Sequence, residues 1–141
     1  MRIFFDTSVL VSACQRNHEH HSPGLNAFVS ANKTTAACGA HTLAEVYAVT
    51  TRMPGEYKVA PGDAWLFIRQ VTERCALIAL SPNEYLATLE TIIQNQRTGG
   101  IIYDALLLAC ARKAKADTII TWNVKHFQSI APDLADRIVT P

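Results

Sequence analysis

The chain has 141 residues, 49% of them hydrophobic, and its 13 basic and 12 acidic side chains give a net charge of +1. This length suits one domain with a substantial core and is short for two, so we predict a single domain over residues 1–141. The even charge balance excludes the strong positive field of a protein that coats DNA without sequence preference, although it permits a local phosphate-binding patch.

Five short apolar runs have the composition of buried β-strands. They are residues 2–5 (RIFF), 34–38 (TTAAC), 76–80 (ALIAL), 117–121 (DTIIT) and 137–140 (RIVT). Apolar residues near helical spacing fill much of the sequence between them, in residues 41–52, 61–75, 81–96 and 101–114. Strands that alternate with helices and have continuous apolar cores predict a parallel sheet covered by helices on both faces.

Three acids and one amide occur where these elements would bring them to one edge of the sheet. Asp6 follows the first strand directly, and Glu45 lies near the start of the helix after the second strand. Asp104 lies near the start of the helix that leads into the fourth strand, and Asn123 follows that strand. Ligands of open parallel sheets collect outside the carboxyl ends of the strands, so we expect the four side chains to converge there.

Converging carboxylates repel one another unless a cation lies between them. Mg²⁺ suits such a site because it accepts a few carboxylate ligands and keeps positions for water and phosphate oxygens. A bound divalent cation activates water for in-line attack on a phosphodiester and stabilises the leaving oxygen. The chain has no glycine-rich phosphate loop, no GxSxG motif and no second acid two residues after Asp6. The residues therefore indicate metal-assisted phosphodiester hydrolysis.

Four motifs in order resemble the PIN-domain family, and especially the VapC-type toxins of toxin–antitoxin pairs. The motifs are FFDTSVL, HTLAEVY, IIYDALLLACA and TIITWNVKHF, which together span most of the chain. The resemblance implies a three-layer α/β/α sandwich whose parallel sheet has strand order 3-2-1-4-5. It also implies an endoribonuclease that depends on Mg²⁺ or Mn²⁺ and acts as a type II toxin, with RNA as substrate, a homodimeric state and a cognate antitoxin as partner.

The resemblance also assigns site residues by position. Asp6, Glu45 and Asp104 match the three acidic metal-site residues of the family, and Thr7 matches the small hydroxyl residue beside the first. Asn123 stands where many members have Asp, and an amide oxygen can bind metal or orient its water but brings no charge. We therefore expect one metal held by the three acids, any second metal being recruited by the substrate phosphate.

Several of these residues also have purely structural interpretations. Asp6 could be a turn residue that caps the following helix, because Asp-Thr-Ser is typical of a helix N-terminus, and Glu45 would complete a capping box with Thr42. Asp117 opens a predicted strand, and His126 is expected to belong to a packing pair with the residue after it. We therefore predict that substitution of Asp117 or His126 affects folding more than chemistry.

Other polar and aromatic residues fall outside the predicted site. The three histidines of residues 17–24 have no companion ligand at zinc spacing, which favours a solvated turn. Tyr47, Tyr103 and Trp122 could stack on RNA bases, but core packing is the favoured interpretation. Four basic residues are candidates for phosphate contact, with ordinary solvated charge as the alternative: Arg52, Lys58, Arg97 and Lys125.

The cysteines and the apolar runs indicate in which part of the cell the protein is expected. The four cysteines are widely spaced and form no CxxC pair, which favours reduced thiols in a cytoplasmic protein over a disulfide framework. No apolar run approaches the roughly 20 residues of a membrane-spanning helix, so we expect no membrane association.

Two other functions stay open at this point. Asn123 allows a PIN-like module that binds RNA or protein and cleaves poorly. A metal-dependent enzyme acting on DNA or another phosphoester also fits, because carboxylates alone do not distinguish sugars.

Overall fold

The computed structural model describes all 141 residues and contains five β-strands. They are β1 (Ile3–Phe5), β2 (Ala36–Gly39), β3 (Ala76–Ile78), β4 (Thr118–Ile120) and β5 (Ile138–Val139). The strands form one sheet in the order β3-β2-β1-β4-β5, and every neighbouring pair is parallel. The predicted strands and their predicted order are confirmed, and only β2 extends beyond its predicted run, by one residue.

Seven α-helices accompany the sheet. They are α1 (Thr7–Cys14), α2 (His21–Val29), α3 (Thr42–Arg52), α4 (Pro61–Arg74), α5 (Pro82–Gln94), α6 (Ile101–Lys113) and α7 (Val124–Ile130). Short 3-10 helices occupy Gly55–Tyr57 and Pro132–Arg137. None of the helices has the length and apolar character that crossing a bilayer requires.

The sheet has a separate hydrophobic core on each face, because successive side chains of a strand point to opposite faces. Phe5 of β1 packs with residues of α1, α2, α3 and α4 in one core. Its neighbour Phe4 packs with residues of α6 and α7 in the other. Both rings are fully buried. This arrangement is the three-layer α/β/α sandwich that the resemblance implies.

Helix α6 is anchored by its middle and its end. Leu107, Leu108, Cys110 and Ala111 are buried in the second core. The first turn of α6, which carries Asp104, lies before these anchors. The apolar run therefore fixes where the Asp104 backbone sits.

Candidate active site

The structure brings the five predicted site residues into one cleft of about 540 Å³. They are Asp6, Thr7, Glu45, Asp104 and Asn123. The first two follow β1 directly, and Glu45 lies in the first turn of α3, the helix after β2. Asp104 lies in the first turn of α6, and Asn123 is the N-cap of α7, three residues after β4. Asp6 and Thr7 are adjacent at the start of α1, so the five side chains come from four parts of the chain that are distant in sequence.

Asp6 is almost completely buried, and one of its carboxylate oxygens is held by two hydroxyls. Ser8 Oγ donates to Asp6 Oδ2 at 2.6 Å, and Thr121 Oγ1 donates to the same oxygen at 2.7 Å. The backbone N–H of Trp122 donates to Ser8 Oγ at 3.2 Å. The backbone N–H of Asn123 donates to Thr121 Oγ1 at 3.0 Å. Because each hydroxyl is already an acceptor, its single proton is directed at the carboxylate.

Glu45 is partly buried, and the neighbouring polar side chains contact it through Oε1. Thr7 Oγ1 lies 3.4 Å from that oxygen and 3.3 Å from Thr42 Oγ1. His41 Nε2 also lies 3.4 Å from Oε1 but forms no hydrogen bond. His41, not Thr42, is the N-cap of α3, and no side chain caps this helix. The capping-box interpretation of Glu45 is therefore wrong, and its carboxylate is available to the cleft.

Asp104 contacts a histidine that the sequence interpretation had assigned to packing. His126 Nε2 lies 2.7 Å from Asp104 Oδ2. An ionised carboxylate only accepts hydrogen bonds, so Nε2 carries the proton. Phe127 is buried as predicted, whereas the His126 side chain is 45% exposed and its ring is hydrogen-bonded to a site acid. The side chain of Asn123 forms no cap hydrogen bond to α7.

Burial and repulsion both act on the ionisation of the cleft acids. Burial raises the pKa of Asp6, and the hydrogen bonds from Ser8 and Thr121 oppose this rise, whereas the charge of Asp104 adds to it. Burial also raises the pKa of Glu45, with further contributions from the charges of Asp6 and Asp104. No lysine or arginine lines the cleft. The protein therefore leaves this concentration of negative charge without a lysine or arginine partner.

The donor set fits a hard divalent cation in charge and chemistry. The side-chain groups that hold each of the three acids contact one oxygen, which leaves Asp6 Oδ1, Glu45 Oε2 and Asp104 Oδ1 without a side-chain hydrogen bond. Oxygen ligands with uncompensated negative charge are what Mg²⁺ prefers. No three His, Cys, Asp or Glu side chains lie close enough to hold a metal without rearrangement. Binding of one cation by all three acids therefore requires movement of their side chains.

A turn carrying two of the histidines forms one wall of the cleft. His18, Glu19 and His20 line it, and the His20 ring stacks on Trp122 with a centroid separation of 4.2 Å and an interplanar angle of 19°. Trp122 Nε1 donates to Ser12 Oγ at 3.0 Å. His18 and His20 lie in a partly exposed turn as expected, but this turn also lines the cleft, and His21 begins α2. The expectation that Trp122 packs against the core is confirmed.

The remaining predictions have mixed outcomes. Tyr47 and Tyr103 are 42% and 64% exposed, so their assignment to the core is wrong. Asp117 accepts a hydrogen bond from the backbone N–H of Arg2 at 2.7 Å, which fits the predicted role at a strand start. None of the four basic candidates lines the cleft: Arg52, Lys58, Arg97 and Lys125.

Sequence and structure comparisons relate this chain to known proteins. Residues 3–131 match the family model for the PIN domain. Ribonuclease VapC27 of Mycobacterium tuberculosis is 36% identical over 115 residues, which cover 79% of this chain and 78% of that protein.

Two solved structures share the fold at low identity. The crystal structure of VapC20 from Mycobacterium tuberculosis, a sarcin-ricin loop cleaving toxin, has a TM-score of 0.72 and 15% identity and covers 92% of this chain and 95% of its own. VapBC2 from Rickettsia felis, bound to a DNA fragment from its promoter, has a TM-score of 0.65 and 19% identity, covering 99% and 97% respectively.

Proposed function

The chain belongs to the PIN-domain family, and from this premise we propose that it is a metal-dependent endoribonuclease acting as the toxin of a toxin–antitoxin pair. One observation carries the proposal. Three acids share a cleft, each keeps a carboxylate oxygen without a side-chain hydrogen bond, and no lysine or arginine neutralises them. A divalent cation would balance this charge and supply the chemistry of phosphodiester hydrolysis.

The roles of the residues follow from their contacts. Asp6, Glu45 and Asp104 would hold the cation, which when bound supplies an activated water and stabilises charge on the leaving oxygen. Ser8 and Thr121 fix the Asp6 carboxylate. Thr7 orients Glu45 through the contact at Oε1.

Asn123 completes the proposed site without adding charge. It lines the cleft, and its side chain is not used to cap α7. Its amide is therefore free to orient water or to bind the cation as a neutral ligand. Three carboxylates carry enough negative charge to compensate one divalent cation but not two. We therefore propose that the protein alone holds a single metal.

RNA binding in this cleft needs groups other than basic side chains. The cation would contact the scissile phosphate, since no lysine or arginine lines the cleft. Tyr103 immediately precedes Asp104, and Tyr47 lies two residues after Glu45 on α3. Both rings are exposed. Residues one or two positions apart on a helix do not share a face and neither ring lines the cleft, so the two tyrosines would stack only on bases that extend beyond it.

The proposed partners are a cognate antitoxin and a second copy of the chain. Helix α5 exposes Leu86, Leu89 and Ile93, which are spaced to share one face. An apolar stripe of this kind usually lies in a protein interface. It supports a homodimer, whose mass light scattering would measure directly.

The function is tested with purified protein and a mixed RNA pool, with Mg²⁺ or with a chelator. We expect RNA cleavage only with Mg²⁺, and a loss of about 100-fold or more in Asp104→Asn, the order found when one transition-state contact is removed. Asp117→Asn is the matched control, because Asp117 lies outside the cleft.

Each contrary result identifies an alternative. Cleavage without metal, or undiminished cleavage by Asp104→Asn, would refute the mechanism. Cleavage of a DNA pool at an equal rate would favour a general phosphodiesterase. Metal-independent RNA binding with no cleavage under any condition would favour a binding module.

A further inference from the structure

We propose that His126 is a positioning residue that holds Asp104 by one carboxylate oxygen so that the other is presented to the cation. This inference rests on the proposed function, because it assigns a role toward the metal-binding acids. His126 is not one of the predicted acidic site residues, and it does not line the cleft.

The contact has the geometry of a strong hydrogen bond. His126 Nε2 and Asp104 Oδ2 are 2.7 Å apart, within the range of charge-assisted N–H···O bonds. Asp104 Oδ1 accepts no hydrogen bond from the protein. One oxygen is thus committed to the imidazole, and the other stays free for a cation.

The imidazole is placed by a well-anchored helix. Phe127, the next residue of α7, is buried in the second core. Ser129 Oγ donates to the backbone carbonyl of His126 at 2.6 Å. The side chains of His126 and Asp104 are 45% and 32% exposed, so without this hydrogen bond little would restrict the rotation of the carboxylate.

No other imidazole near the cleft makes such a bond. His41 Nε2 lies 3.4 Å from Glu45 without a hydrogen bond, and His18 Nδ1 accepts from the backbone N–H of His20. A histidine also differs from lysine or arginine, because a neutral imidazole still donates one hydrogen bond. It orients the acid without adding a permanent positive charge that would compete with the metal.

The test measures Mn²⁺ affinity of the full chain by calorimetry, without RNA. His126→Ala should weaken binding by about 10-fold or more, the range found when a residue that orients a metal ligand is removed. His126→Gln keeps an amide N–H donor at similar reach and should restore most of the affinity. His21→Ala removes an imidazole that lies outside the cleft, where its Nδ1 contacts the Ser12 carbonyl, and it should bind Mn²⁺ like the wild type.

RNA cleavage gives a second readout. The rate of His126→Ala should be low at limiting Mn²⁺ and recover toward the wild-type rate at saturating Mn²⁺, because the defect lies in metal binding. A general folding defect would not be rescued in this way. His126→Leu, which keeps side-chain bulk but cannot donate, replaces the alanine variant if that variant fails to fold.

Two results would overturn the inference. One is wild-type Mn²⁺ affinity in folded His126→Ala or His126→Leu. The other is weakened affinity that His126→Gln does not restore although its melting temperature matches the wild type. Absence of Mn²⁺ binding by the wild-type chain would instead refute the proposed function itself, and with it this inference.

Discussion

The acids near the two ends of helix α6 differ in whether a lysine or arginine pairs with them. In its last turn, Arg112 donates to both oxygens of Asp133, at 2.7 and 2.8 Å, and Lys113 Nζ lies 2.7 Å from Glu84. The hydrogen bond from Lys113 contributes most to lowering the pKa of Glu84 to about 2, and Arg112 lowers the pKa of Asp133. Glu84 and Asp133 thus each have a basic partner at this end.

The first turn of the same helix has no lysine or arginine partner, and its Asp104 side chain is hydrogen-bonded only by the imidazole of His126. Asp104 shares its cleft with Asp6 and Glu45, whose pKa values are raised by burial and by neighbouring negative charge. The chain has 13 basic residues, yet none lines this cleft. Keeping buried acids unpaired costs folding free energy, and such a cost is characteristic of functional sites. This difference in the pairing of acids within one helix therefore indicates that a cation from solution would bind in the cleft.

The largest effect should come from placing a basic residue in the cleft. Asn123→Lys would put an ammonium beside the acids and compete with the metal. We expect kcat/KM for RNA to fall by about 100-fold, the order given by one unit charge at short range in a partly buried site. Asn95→Lys adds the same charge at the C-cap of α5, outside the cleft, and should leave kcat/KM unchanged. Equal activity of Asn123→Lys and the wild type would contradict the proposal that the cleft must stay free of lysine and arginine.

The next effect concerns stability and its dependence on pH. The folded-state pKa of Asp6 is raised, so its ionised form is penalised by folding. Without metal, Asp6→Asn should unfold at a higher urea concentration than the wild type at pH 7.5. The stability of the wild type relative to the variant should increase as the pH falls through the raised pKa, because Asp6 then becomes protonated.

Metal should reverse this order. Mn²⁺ at 100 times its Kd would stabilise the wild type by about 2.7 kcal/mol and Asp6→Asn far less. Urea titrations at pH 7.5 and pH 5, with and without Mn²⁺, measure both effects. Destabilisation of the metal-free protein by Asp6→Asn at pH 7.5 would show that the Asp6 charge is compensated after all.

The smallest effect concerns the hydroxyls that hold Asp6. Thr121→Val keeps the side-chain shape but removes one donor to Asp6 and the acceptor of the Asn123 N–H. Leaving such buried groups unpaired costs about 1–3 kcal/mol. Ser8→Ala changes a more exposed hydroxyl and should cost less. Chemical denaturation measures both, and a larger loss in Ser8→Ala would contradict the assigned roles.

The fold was largely predictable from the sequence, because buried strands and amphipathic helices leave local hydrophobic patterns. Helix α7 has only 7 residues and gives too short a pattern for such a prediction. The placement of the acids after β1 and near the starts of α3 and α6 was also predictable, because chain order along a parallel sheet fixes it.

The contacts within the site were not predictable in the same way. Thr121 reaches Asp6 across 115 positions because β1 pairs with β4 in the register Phe5 to Ile120. His126 reaches Asp104 through the packing of α7 against α6, which no local pattern encodes. The capping box expected at Glu45 fails because α3 has His41 as its N-cap, whereas a capping box does form at Ser81 on α5.

The most direct test is a crystal structure of the chain soaked in Mn²⁺, with anomalous scattering used to locate the ion. The account predicts one peak in the cleft, contacted by oxygens of Asp6, Glu45 and Asp104 at the roughly 2.0–2.2 Å typical of small divalent cations. His126 should remain hydrogen-bonded to the other oxygen of Asp104. A crystal in which Mn²⁺ binds elsewhere, or contacts fewer than two of the three acids, would contradict the account.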